Sequence, residues 1–241
     1  MGARIDRAEN SMFNLSARRP VIYSLFTALA LTAALAGCSE SSDGDESTKI
    51  NGSIHVTAGK QPVAVTTVNG SIRLDENAAV TSVTTVNGSI NLGDHATAAS
   101  LTSVNGAISV GKGARVAGSA SSVNGELTLK EAAEITGSLS NVNGKITVAA
   151  AHVGGGIKTV NGNMGITGAS HVEGGILVQK PSGELLQMLH DVPRIVIGPG
   201  AVVQGELRFE RTVKLYVSDK ATIGPVTGAT PLPFSGETPP N

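Results

Sequence analysis

Aromatic side chains are almost missing from this sequence. They make up 2 % of its 241 residues, and there is no Trp. A conventional globular core takes much of its buried area from Phe, Tyr and Trp. This chain must build its interior from Val, Ile, Leu and Ala, which suits thin, regularly stacked layers. Cysteine is nearly absent too. Cys38 stands alone, which excludes an internal disulfide and a thiolate metal cluster. Charge of one sign is also lacking. The formal net charge is −1 with no long basic run, so no nucleic-acid partner is expected. Glycine, by contrast, is plentiful at 30 residues.

Long apolar runs are scarce, and the clearest one lies near the start. Arg18 and Arg19 precede "PVIYSLFTALALTAALAGC". Its apolar part, residues 21–36, is shorter than the roughly 20 residues a membrane span needs. It ends in small residues, the pattern of a secretory signal peptide. Residues 1–11 look unlike a basic leader, and translation from Met12 would leave a signal of ordinary length. The residues around Arg18-Arg19 fit a twin-arginine export signal poorly. Leu35-Ala36-Gly37-Cys38 resembles a bacterial lipobox. That resemblance implies cleavage after Gly37, removal of residues 1–37 and lipidation of Cys38. Buried acyl chains contribute about 0.8 kcal/mol per CH₂, and two chains anchor stably. Ser39, rather than Asp, implies the outer membrane in bacteria that sort by this residue. Residues 39–49, "SESSDGDESTK", hold no apolar side chain. With Cys38 they read as a lipidated, flexible acidic tether over 38–49.

From residue 50 to 226 the chain repeats itself. Asn-Gly pairs begin at Asn51, Asn69, Asn87, Asn105, Asn124, Asn143 and Asn161, at intervals of 18 or 19 residues. A fixed period near 20 is the mark of a solenoid. Apolar residues fall at fixed places in each unit, as in Ile72/Leu74, Ile90/Leu92 and Ile108/Val110. Others recur near the twelfth position, as in Val80, Val116 and Ile135. A last group at the end of each unit (Val68, Val86, Val104, Val123, Val142 and Val160, each just before an Asn, and Val178) is expected to close the core. The spacing of two within a group is strand spacing, and the residues are largely β-branched. The expected fold is all-β: a single-stranded parallel β-solenoid, or β-helix, of triangular cross-section. About nine coils of 18–20 residues would give a rod of about 40–45 Å at sheet spacing. Crossovers between parallel strands are right-handed in about 98 % of cases, so a right-handed coil is expected.

Residues 179–193 interrupt the repeat as an insertion, with one or two helical turns expected over 184–190. The Pro-rich tail, residues 227–241, is read as a cap. Phe209, Tyr216 and Phe234 all lie late in the chain, where a solenoid must cover its raw end.

The Asn-Gly pair reads as a corner between strands, with Gly accepting φ > 0. The seven stacked asparagines are expected to form an amide ladder. The Ser and Thr residues before each Asn would form a regular hydroxyl face, with Thr67, Thr85, Ser103 and Ser122 as the candidate surface for a ligand. His152 and His171 should stack on the outside, with no acid in a neighbouring coil of their row, so no metal site is expected. Arg115 with Glu134, and Glu126 with Lys145, read as opposite-charge neighbours worth about 0.2–1 kcal/mol each. No nucleophile–base–acid set and no Gly-x-Ser-x-Gly elbow appears. No catalytic residue and no cofactor is expected. The Asn-Gly-Ser sequons at Asn51, Asn69 and Asn87 read as repeat chemistry.

The lipobox together with the V-N-G-x-I-x-V units resembles a bacterial β-solenoid adhesin family. "RIVIGPGAVVQGEL", residues 194–207, resembles a coil of the bactofilins, which are polymer-forming cytoskeletal proteins. These resemblances cover about residues 50–226 and carry over no catalytic residue. They imply a non-enzymatic cell-envelope lipoprotein acting as a scaffold or adhesin, with end-to-end self-association. The alternative is a carbohydrate-binding module using the hydroxyl face. The partners implied are the membrane through the lipid, a second copy, and an envelope polysaccharide or protein. The lipobox sets the chain apart from cytosolic bactofilins.

Overall fold

The structure is a computed structural model that describes residues 46–60, 63–181 and 191–240. Cys38, the leader, residues 39–45 of the tether and the helical turns expected over 184–190 lie outside the described residues. The described chain holds no helix. Its strands are parallel and stack as a β-solenoid of ten coils.

Eight of the ten coils contribute described strands to three faces. The first face is a ten-stranded sheet running from Ile54–Val56 to Pro231–Phe234. The second carries two-residue strands such as Glu134–Ile135 and His152–Val153. The third runs from Glu46–Asn51 to Val226–Thr227. Nine steps of about 4.8 Å span about 43 Å.

Two boundaries differ from the expectation. The first strand begins at Glu46, inside the predicted tether, and pairs with Ala64–Asn69. At the other end the tail adds the tenth rung. Pro231–Phe234 pairs with Lys214–Ser218, and Phe234 is buried.

The core follows from alternation. Along Ile72–Leu74 and its counterparts, the outer two residues of each triplet are buried and the middle one faces out. Stacked in register, Ile72 lies opposite Ile90, and Ile90 opposite Ile108. One coil cannot bury such a face alone, whereas ten stacked coils make it continuous.

The change from 18- to 19-residue coils has a local cause. Ala79–Asn87 and Thr97–Asn105 run unbroken across the corner between the second and third faces. In the next coil Val116 sits opposite Ala98, but Ala120 sits opposite Leu101. The extra residue therefore falls within Ala117-Gly118-Ser119. A Cβ on Gly118 would lie 2.6 Å from the Ala99 carbonyl oxygen, so the bulging corner requires glycine.

Two Asn-Gly corners take the expected positive φ, with Gly52 at 112° and Gly144 at 129°. Gly70, Gly88, Gly106 and Gly125 have no positive φ. They are glycine because a Cβ there would overlap the carbonyl of the preceding coil's glycine. A stack of positive-φ residues lies between the first and second faces, at Gly59, Asn77, His95, Gly113, Ala132 and Ala150.

Candidate functional site

The asparagines do meet. Asn69 Nδ2 donates to Asn51 Oδ1 at 3.0 Å, and Asn87 to Asn69 at 2.9 Å. Asn105 donates to Asn87 and Asn124 to Asn105, each at 3.0 Å, and Asn143 to Asn124 at 2.9 Å. Parallel register with Asn opposite Asn makes each side chain from Asn69 to Asn124 both donor and acceptor. The run of bonds stops at Asn143, which corrects the expected ladder of seven. Asn161 bridges Asn143 through its backbone, but its Oδ1 accepts from Arg211 Nη1 at 3.2 Å. Arg211 also donates to the Val160 and Asp191 carbonyls, at 3.0 and 2.8 Å. No sequence signal marked Arg211, because its partners lie about two coils back in the stack.

The expected ligand face is not on the surface. Thr67, Thr85, Ser103 and Ser122 are fully buried. Their hydroxyls donate inward to the carbonyls of Gly52, Gly70, Gly88 and Gly106, at 3.2, 3.1, 3.4 and 3.3 Å. Asn141 continues the row, donating to Gly125 O at 2.8 Å and to Gly144 O at 3.1 Å. Each Asn-Gly corner turns a glycine carbonyl into the core, and a buried carbonyl needs a donor. Asn141 Oδ1 and Thr159 Oγ1 are buried without a partner, where the row ends. Beyond it the same position is apolar. Val178 lies opposite Thr159, and Phe209 opposite Val178.

The valines change places accordingly. Val68, Val86, Val104, Val123, Val142 and Val160 are half-exposed and point outward, beside Thr66, Thr84, Thr102, Ser121 and Ser140. Val178 belongs to the inner row.

On the second face, His152 and His171 lie in register with ring centroids 5.7 Å apart. Their row does hold an acid, contrary to expectation. Glu134 lies opposite His152, and Glu173 Oε1 is 3.0 Å from His152 Nε2. Arg115 Nε is 3.6 Å from Glu134 Oε2. Glu126 has different partners from those expected: Thr128 and Thr147 hydroxyls donate to it at 3.2 and 3.5 Å. Among the described residues, no three His, Cys, Asp or Glu side chains are placed to hold a metal ion. Two surface depressions are open and polar. One of about 430 Å³ lies between Lys145, Asn161, Asn163 and Asp191. Another of about 330 Å³ lies between Arg73, Asp75, Asn91 and Lys130.

The arrangement is that of a single-chain parallel β-solenoid with an outer amide ladder and an inner hydroxyl row. No protein-family model, curated protein or solved structure matches the chain.

Proposed function

We propose that this chain is a non-enzymatic cell-envelope lipoprotein whose solenoid is a rigid scaffold or adhesin-like surface. The observation that carries the reading is the conjunction of Leu35-Ala36-Gly37-Cys38 behind an apolar leader with a ten-coil solenoid whose amide ladder and buried hydroxyl row are bonded within the chain. Side chains committed to internal hydrogen bonds hold shape and leave little for chemistry. The adhesin and bactofilin resemblances of the repeats favour the same class. Lipid on Cys38 would place the domain on a membrane, with Ser39 favouring the outer one. Metabolic labelling with a radioactive fatty acid tests this. Label and membrane association are expected in the wild type and lost in Cys38→Ser. An unlabelled wild-type chain in the soluble fraction rejects the reading.

A second reading is polysaccharide binding. It is favoured by the outward row Thr66, Thr84, Thr102, Ser121 and Ser140, one residue before the buried polar row. Co-sedimentation with insoluble envelope polysaccharide tests it. Binding that survives Thr84→Lys with Thr102→Lys rejects this face.

A further inference from the structure

The two ends of the ten-stranded face are not equivalent. At its start, Ile54–Val56 pairs only with Ile72–Leu74. Ile54 N–H donates to Ser71 O, and Asp75 N–H to Val56 O, both at 2.9 Å. Ile54 and Val56 thus turn their backbone groups into the solenoid. Alternation then turns the N–H and C=O of His55 off the end. Among the described residues no strand pairs with that edge.

At the far end the parity is the same but the residues differ. Asp219 N–H donates to Phe234 O at 3.0 Å, so Phe234 and Leu232 face back toward Lys214–Ser218. Pro231 and Pro233 occupy the positions that face off the end. Proline has no N–H, so this edge of the face offers acceptors and no donors. The tail is also tied down: Arg194 Nη2 donates to Pro239 O and Pro240 O at 3.3 and 2.8 Å.

We propose that the open edge pairs with the same edge of a second copy of this chain. Ile54–Val56 would lie antiparallel to its counterpart about a two-fold axis. His55 N–H would donate to the second copy's His55 carbonyl, and the reverse. A two-fold contact uses one self-complementary edge and closes at two. Other occupants fit less well. Residues 39–45 hold no apolar side chain and bring nothing to bury. The proline end of another copy brings no donors on this face, which disfavours head-to-tail stacking. Lys49 Nζ sits 3.4 Å from Ser53 O, at one side of the edge, and leaves His55 clear. This inference sharpens the self-association of the proposed scaffold. It depends only on the strand edges, and Cys38→Ser, which tests the envelope reading, leaves it untouched.

Analytical ultracentrifugation of the full chain in detergent tests it. The wild type is expected to sediment as a dimer. His55→Pro removes an N–H that bonds nothing among the described residues and is expected to halve the sedimenting mass, whereas His55→Ala keeps the dimer. Pro231→Thr with Pro233→Thr restores donors at the far end and is expected to extend closed dimers into longer assemblies. A monomeric wild type overturns the proposal, as does a dimer that survives His55→Pro or a wild type that forms filaments. If circular dichroism finds His55→Pro misfolded, the double proline variant decides, and a species no larger than the dimer overturns it.

Discussion

Thr85 Oγ1 donates to the carbonyl oxygen of Gly70, one coil earlier, across 3.1 Å of buried interior. The neighbouring Thr84, one residue back, points the other way and is half-exposed. Two adjacent threonines thus have opposite duties, set by the strand's period of two.

Thr85→Val should therefore strip the Gly70 carbonyl of its donor while keeping the shape. An unsatisfied buried acceptor costs about 1–3 kcal/mol. Thr84→Val should stay within about 0.5 kcal/mol, as surface changes do. Chemical denaturation of the two variants checks the difference, and equal midpoints would refute the inner row's role.

Asn105 takes part in two ladder bonds and Asn51 in one. Each net hydrogen bond contributes about 0.5–1.5 kcal/mol. Asn105→Ala is expected to lower the denaturation midpoint more than Asn51→Ala. The reverse order would show that the ladder is not what the amides contribute.

Gly106→Ala pushes a methyl into the Gly88 carbonyl, whereas a Cβ on Gly165 meets nothing within 4 Å. Overpacking of this kind costs about 1–3 kcal/mol or more. Gly165→Ala, where φ is not positive, should be neutral or gain about 0.4–1 kcal/mol by restricting the unfolded chain. Thermal melts of both proteins give the sign directly.

Ala132 and Ala150 hold φ values of 58° and 48°. A left-handed conformation costs an L-residue with a Cβ about 1–2 kcal/mol. Glycine's extra chain entropy returns about 0.5–1 kcal/mol of that. Ala132→Gly should leave stability unchanged or raise it by up to about 1.5 kcal/mol, measured as a rise in melting temperature. A clear loss would mean the corner draws on the Ala132 methyl.

Much of the fold was legible. The 18-residue interval between Asn69 and Asn87, and the paired Ile72/Leu74 positions, required parallel stacked coils, since no other arrangement buries so thin an apolar set. Less legible was which of Thr67 and Val68 goes inside. By hydrophobicity alone Val68 belongs in the core, and the reading that put it there was wrong by one residue. The inverted glycine carbonyls reverse that preference, and they exist only once the corner is built. Arg211 was invisible for a different reason. Its contacts with Val160 and Asn161 reach back over about fifty residues, and no local pattern encodes them.

Sequence by itself determined the period, the parallel register and the glycine at each Asn-Gly corner, because all three follow from repetition along one chain. Tertiary structure alone decided which hydroxyls are buried, where the amide run stops and which end of the first face, among the described residues, keeps free N–H groups. Those outcomes depend on the direction in which each backbone carbonyl and N–H turns. A one-residue shift reverses that direction while leaving the repeat unchanged.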